Sequence, residues 1–451
     1  MVTAGTIARQ VRDGERSAVD TVSAALDRSE ASPHNAYTLI DRDGALERAA
    51  AIDAKVARGD DPGPLAGVPV ALKDLIDQAG LPTTCGSSFY REIPVRSAPV
   101  VDRLETAGAV IIGRTGLHEF AYGFSSENHW FGPVRNPWDL DTSPGGSSGG
   151  SAVAVAASLA PVGIGTDTGG SVRVPAAMCA VVGLKVTHGR VPLTGVFPLA
   201  ASHDTVGPLA RSVGDAALVY GQIAGYDRAD PWSVPREVEA QADGSLAGLR
   251  VGVPHPWLDD APMEPGIAAA FDAALSTLSD AGARVTDLDV PWLAPTPHMW
   301  DAVGPQVAQV HRRWFGHERY GPEVQERLAA VFAVTLDQYL DAQRWIVHLR
   351  NRAAALFREI DVVVTPTVPA SRKRIGESTL GGVRYVTVLS WFSALVNHLG
   401  APALTAPLRA PGTPPPSLQL IGPWWSERRL LALGETLEGI GLFGTPDPPE
   451  V

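Results

Sequence analysis

The 451-residue chain is poor in cysteine, has no long apolar run, and carries no surplus of positive charge. Each shortage narrows what the protein can be. Its two cysteines, Cys85 and Cys179, stand far apart with no CxxC or Cys/His spacing, which argues against a disulfide framework and against a structural zinc site. Cys179, in the small-residue run PAAMCAVVG, reads as a buried packing residue. The apolar stretches fall short of the roughly 18 to 20 residues that would cross a bilayer, and MVTAGTIARQVRDGERS lacks the apolar segment of a signal peptide. The expectation is a cytoplasmic protein with no membrane partner. With 37 Lys and Arg against 49 Asp and Glu, the net charge is -12, and no basic cluster is present of the kind that nucleic acids require. An acidic surface mainly serves solubility.

What is present is core. Hydrophobic residues make up 45% and charged residues 19%, enough for a large buried interior in one α/β unit or in two to three domains. Helical periodicity marks 17–31, where Ser17 and Asp20 form a capping start, and also 44–58, 264–282 and 323–357. Short β-type runs bounded by glycine and proline lie at 67–75, 107–115, 159–166, 249–254, 360–368, 402–408 and 418–423. Such alternation predicts an α/β fold whose central sheet is covered on both faces. The polar stretch 226–247 reads as an excursion within one unit, because β-type runs lie on both sides of it and neither half looks complete alone. APGTPPPS at 410–417 reads as a surface loop.

One segment, PGGSSGGS at 144–151, admits several readings. It runs directly into the nearly nonpolar SAVAVAASLA, so it is not a flexible tether. The residues before it, NPWDLDTSP, are turn-forming, and neither GxxxxGK[ST] nor GxGxxG follows a strand, which disfavours a phosphate loop. Gly145 to Gly149 formally satisfies GxSxG, but the strand that a nucleophile elbow needs is missing, and nothing singles out a partner among His188, His203, His311 and His398. A fourth reading comes from a second glycine-flanked serine in GTDTGGSVRVPAA (165–177) and from Lys73 at the end of VPVALKDLID. A lysine kept neutral by burial can replace histidine as the base of a serine hydrolase. For Lys73 alone, a surface lysine paired with Asp74 or Asp77 is the simpler reading.

The stretch 144–192, PGGSSGGSAVAVAASLAPVGIGTDTGGSVRVPAAMCAVVGLKVTHGRVP, resembles the signature of the amidase signature family, which includes the A subunit of glutamyl-tRNA amidotransferase. Further similarity lies in 64–77, 113–139 and 202–219, dense before 220 and thin after it. The resemblance implies a single large α/β/α sandwich domain over 1–451, with a central mixed twisted sheet. Its parts would be N-terminal helices (1–60), a catalytic core (about 61–225), a divergent substrate-side region (about 226–400) and returning core strands (about 400–440). It also implies a Ser-cisSer-Lys triad: Ser171 as nucleophile, Ser147 as bridging serine after a cis Gly146–Ser147 peptide, and Lys73 as base. The chemistry asks for these types. A serine hydroxyl needs a base, a second hydroxyl can both accept and donate, and the lysine must lose its charge through desolvation.

By the same resemblance, backbone N–H groups of Thr168, Gly169, Gly170 and Ser171 are expected to form the oxyanion hole, and Ser148, Asp167 and Arg173 to support the triad. A purely structural Asp167–Arg173 ion pair is an equally good reading. Ser151 is expected to start a helix over 151–160 and to cap it. Acyl-side walls are expected from Tyr122, Gly123, Phe124 and Ser125 through Ser126 and from Trp130–Phe131. The opposite wall would come from Trp300, Trp314, Trp345 and Trp391–Phe392, aromatics that could equally be core. The implied activity is hydrolysis of an amide or anilide, and also of an ester or carbamate, through an acyl-enzyme, with neither metal nor organic cofactor. The expected partner is a small-molecule substrate, the expected state a monomer or homodimer. The runner-up is an amidotransferase A subunit releasing ammonia from glutamine; a catalytically dead binding protein is disfavoured because all three triad positions are present.

Overall fold

The computed structural model describes residues 2–240, 242–316 and 319–449. Eleven strands among these residues form one mixed sheet. In chain order they are β1 (Tyr37–Ile40), β2 (Pro69–Lys73), β3 (Val110–Thr115), β4 (Val162–Asp167), β5 (Val182–Lys185), β6 (Thr205–Ala210), β7 (Arg250–His255), β8 (Arg284–Asp289), β9 (Val362–Pro366), β10 (Ala403–Pro407) and β11 (Ser417–Ile421). Their order across the sheet is β1-β3-β2-β4-β6-β5-β10-β11-β9-β7-β8. Every residue of β2, β3, β4 and β6 is buried, as in strands covered on both faces, and their charged members Lys73, Arg114 and Asp167 are buried with polar partners. The edge strand β8 is mostly exposed and carries Arg284, Asp287 and Asp289, charges that discourage pairing with another sheet.

The register sets the site. β2 and β4 run parallel with Leu72 opposite Ile164, so both chains leave the sheet at the same edge, Lys73 beside Thr166 and Asp167. Ligands of open α/β sheets bind beyond such carboxyl ends. The helix Gly149–Ala156, buried along its whole length, packs behind these strands. A side chain at Gly150 would lie 2.5 Å from the carbonyl oxygens of Ala36 and Gly116, so only glycine lets the helix start so close to the backbone below it. The chain's last strands then close the sheet's middle: Leu404 of β10 pairs with Leu184 of β5 on one side and with Leu420 of β11 on the other. Strands from before and after 226–247 thus share one sheet, giving a single α/β domain with helices on both faces.

Three local expectations change. The helix expected over 323–357 is two helices, Pro322–Phe332 and Leu336–Glu359, because Thr335 and Gln338 build a capping box that starts the second. The helix expected at 151–160 begins at Gly149, so Ser151 is not its cap; the hydroxyl bonds instead to Ile164 O at 3.0 Å and Thr115 Oγ1 at 2.7 Å. The proline-rich loop is exposed only in its first half, and Pro414 to Ser417 are buried as the chain enters β11. Strands β1, β5, β6 and β8 carry no punctuation strong enough to predict them. No helix among the described residues is long and apolar enough to cross a membrane.

Candidate active site

Lys73 leaves the end of β2 into a pocket of hydroxyl groups. Its Nζ lies 2.7 Å from Ser147 Oγ, 2.8 Å from Ser148 Oγ and 2.8 Å from Thr166 Oγ1. The simpler surface reading of this lysine is set aside by burial, for it is fully inaccessible, while Asp74 faces Arg114 at 3.5 Å instead. Burial lowers the Lys73 pKa to about 7, against the opposing pull of Asp167 and Asp204. A neutral amine donates two hydrogen bonds and accepts one. Ser148 donates its proton to Thr166 O at 3.2 Å, so its oxygen accepts from Lys73. The amine lone pair is then left for the hydroxyl of Ser147 or of Thr166.

The Gly146–Ser147 peptide is cis. The Ser147 carbonyl accepts from the His118 N–H and the Ser126 hydroxyl, both at 3.2 Å, and Ser126 Oγ also accepts from Gly149 N at 3.0 Å. This fixes the glycine-serine segment on both sides of Ser147. Ser171 is close by, 4% exposed, and its carbonyl accepts from the Ser148 N–H at 3.3 Å. Among the described residues no side chain hydrogen-bonds its hydroxyl, which faces a cavity.

Asp167 organises the loop that carries Ser171. Burial alone would push its pKa up, but the Arg173 guanidinium, at 2.9 and 3.0 Å, overrides this and holds it well below the ordinary aspartate range. The carboxylate accepts from Gly170 N at 2.8 Å and Val172 N at 3.1 Å, so the ion pair clamps the backbone around the serine. Arg173 is itself held by Gln419 and Asn397, both at 2.7 Å. The N–H of Gly170 is therefore spent on Asp167 and does not face the cavity, whereas those of Thr168, Gly169 and Ser171 have no partner among the described residues. Gly170 sits at φ +129°, and a Cβ there would fall 2.1 Å from Ser393 Oγ, the hydroxyl that holds Gly169 O at 2.7 Å. Glycine is required on both counts.

Thr168, Gly169 and Ser171 line a cavity of about 310 Å³. Of the expected wall, Tyr122, Gly123 and Phe124 line it; Ser125 lies behind, its hydroxyl 3.3 Å from His118 Nδ1 and its carbonyl held by Ser143. Trp130 and Phe131 are half-exposed and outside it, Trp130 donating to Glu119 at 2.9 Å. Trp300 is a lining residue, whereas Trp314 packs among Phe89, Tyr90 and Phe120, Trp345 lies against His398, and Trp391 and Phe392 pack around Trp257. Val303, Val307 and Val331 complete the opposite wall. Among the described residues two cations reach the lining, Arg327 and Arg384, each paired with a carboxylate, Glu323 at 3.8 Å and Glu326 at 3.5 Å. Sequence reasoning missed Thr166, Asn397, Gln419 and Ser393, and it named His398 only as one of four histidines that nothing told apart. For Thr166 the signal was there, since it stands beside Asp167 in GTDTGGS and shares β4 with it; Ser393, Asn397 and His398 come from the divergent region and Gln419 from the returning strand β11, where no motif points to a role.

The chain has counterparts among known proteins. The amidase family profile matches residues 20–431. The chain is 37% identical to the A subunit of the glutamyl-tRNA(Gln) amidotransferase of Carboxydothermus hydrogenoformans, over 96% of each chain, so the likeness runs well past residue 220. Among solved structures it resembles a chain of the vestigial protein complex that reveals the evolutionary origins of an s-triazine catabolic enzyme, with a TM-score of 0.92 and 33% identity over 99% of this chain and 100% of that one. A bacterial aryl acylamidase superposes with a TM-score of 0.87 at 26% identity over 97% of this chain and 96% of that one. On sequence and fold, the chain belongs to the amidase signature family of carbon–nitrogen hydrolases.

Proposed function

We propose that the protein is a free-standing amidase that cleaves an amide or anilide with an apolar acyl group, through an acyl-enzyme on Ser171; esters and carbamates present the same carbonyl to the same nucleophile. One observation carries the reading: a buried lysine, its pKa lowered by burial to about 7, sits 2.7 Å from the Ser147 hydroxyl, beside a serine that faces a mostly apolar cavity. Lys73 takes a proton through Ser147 as Ser171 attacks the carbonyl. The oxyanion is met by the N–H groups of Thr168, Gly169 and Ser171. The relay then returns the proton to the leaving nitrogen, and an amine or ammonia departs. Water, deprotonated along the same path, hydrolyses the ester and frees the carboxylic acid. The protein's own groups balance every proton transfer in this cycle.

The full-length likeness to amidotransferase A subunits favours a second reading, a glutaminase subunit working in a complex that serves a tRNA-bound reaction. The cavity speaks for the first. Free glutamine carries an ammonium group, and no Asp or Glu stands among the described residues that line the cavity. Valines, Phe124 and Trp300 favour an apolar acyl group instead. The purified chain, alone, should release p-nitroaniline from acyl p-nitroanilides or phenol from aryl carbamates. Glutaminase activity that appears only with partner subunits, and no turnover of anilides, would overturn the proposal.

A further inference from the structure

One ring in the cavity wall is unlike its neighbours. His398, on the helix Ala394–Leu399, lines the cavity beside Leu199, Val303, Val307 and Ala394. Its Nδ1 lies 2.9 Å from Nε2 of His203, and both rings are at least 97% buried. No group among the described residues bonds to its Nε2, which opens on the cavity. The ring is fixed from outside as well, its edge against Trp345 at 5.3 Å between centroids and its carbonyl held by Arg350 Nε at 2.9 Å.

The hydrogen bonds behind this pair have a direction. Gln306, on the helix His298–His311 that also supplies Trp300 and Val303 to the wall, has its Nε2 3.3 Å from Ala302 O, while the Ser202 N–H points to its Oε1 at 3.4 Å. These contacts orient the carboxamide. Its Nε2 therefore donates to Ser202 Oγ at 2.7 Å, and the Ser202 proton has two acceptors in reach, Gln306 Oε1 at 3.0 Å and His203 Nδ1 at 2.7 Å, of which we take the shorter. With Nδ1 accepting, a neutral His203 carries its proton on Nε2 and donates to His398 Nδ1. His398 must then carry its own proton on Nε2.

We infer that His398 presents an N–H donor to the cavity and selects substrates whose acyl group carries a hydrogen-bond acceptor, such as an ether or carbonyl oxygen, in an otherwise apolar chain. The inference rests on the proposed amidase reading. Burial pushes the pKa of both rings down, His398 to about 3, so each stays neutral with a single N–H at working pH. A buried donor left without an acceptor is penalised, so an all-carbon acyl group loses relative to one that supplies oxygen at the right position. Ser202 and Gln306 are positioning residues that set the tautomer.

The test uses p-nitroanilides of hexanoic acid and of its oxa analogues, in which each chain methylene in turn is replaced by oxygen. In the wild type, at least one oxa analogue should exceed hexanoate in kcat/KM by about tenfold. That ratio should fall to about one in His398→Leu and return in part in His398→Gln, whose side chain restores an N–H. Equal ratios in wild type and His398→Leu for every analogue would overturn the inference and leave the amidase reading intact. If no anilide is turned over, the amidase reading fails, and calorimetric binding of the same compounds to Ser171→Ala decides the inference. Tighter binding of one oxa compound, lost on adding His398→Leu, supports it; equal binding, or none, overturns it. Nitrogen-15 spectra of histidine-labelled wild type read the tautomer directly, whether or not the variants fold, and a His398 proton on Nδ1 would sink the assignment.

Discussion

Lys73 Nζ and Ser147 Oγ lie 2.7 Å apart, both side chains closed to solvent, and in the proposed mechanism this one contact ties the pH at which the amine is neutral to the proton transfers of the reaction. kcat/KM should therefore rise with pH through about 7, the value to which burial lowers Lys73, and level off above it. The nearby histidines are pushed by burial to about 4 (His118) and about 3 (His398) and do not titrate there. Lys185 also falls to about 7, but it is spent on the carbonyls of Val186 and Ala401. Lys73→Ala should lower the rate by roughly 10²- to 10⁴-fold and remove the step from the pH profile. A step that survives in this variant would assign it elsewhere. Stability follows the same linkage: the unfolded chain binds this proton up to 10.5, so the contribution of Lys73 to folding rises between about pH 7 and 10.5.

Replacing Ser171 by alanine should cut turnover by at least about 10⁴-fold while leaving ligand binding measurable. A sulfonyl fluoride should label the wild type once, and peptide mass spectrometry should find the adduct on Ser171. An adduct on Ser147 would exchange the roles of the two serines.

The Asp167–Arg173 pair predicts a stability effect. Arg173→Met leaves a buried carboxylate that still accepts from Gly170 and Val172 but has lost its cation, and should destabilise the fold by about 3–5 kcal/mol, read from the urea midpoint. Because Asp167 is held below its ordinary value, its stabilisation is complete above the unfolded value near 3.8 and is lost as pH falls below it. Acid unfolding of the wild type should show this loss. The Arg173→Met variant should show less of it.

Two neighbouring glycines should respond differently. Gly170→Ala drives a Cβ to within 2.1 Å of Ser393 Oγ at a φ of +129°, and should lower kcat by about 10²- to 10³-fold, the effect of losing an oxyanion donor. Gly169→Ala meets its nearest neighbour, Phe124, at 3.3 Å and retains its N–H, so it should cost far less. Equal losses would mean that the Asp167-held turn does not shape the oxyanion site.

At the wall, Trp300→Ala should shift the preference toward bulkier acyl groups, seen as a rise in kcat/KM for an arylacyl anilide relative to its acetyl counterpart. No shift would place the acyl group elsewhere in the cavity.

How much of this was legible depended on how local each signal was. Glycine and proline punctuate β2, β3 and β4, so these strands stand out, whereas β5 is only four residues long and β6 carries Gly207–Pro208 in its middle, a pair that argues against a strand. Lys73, Ser147 and Ser171 are carried by motif segments that resemble a known family, which is why their grouping could be expected from sequence. The fate of the Gly170 N–H could not be, since it depends on where the Asp167 carboxylate turns. Nor could the wall be read: Trp300 and Trp345 both lie on the sequence-divergent side, but of their two helices only His298–His311 supplies residues to the cavity lining. Aromatic composition cannot separate a lining ring from a core ring. The His203–His398 contact joins residues 195 apart and has no local signature.

The placement of β10 and β11 in the middle of the sheet has a consequence for how the protein is made. The segment up to Arg173 already holds both serines and the lysine, yet Asn397 and Gln419, which lock that arginine, leave the ribosome more than 200 residues later. Throughout most of synthesis the nascent chain carries every reactive group and no rigid centre to use them. On the proposed mechanism, a polypeptide interrupted before its final strands, which lie between β5 and β9, should be chemically silent.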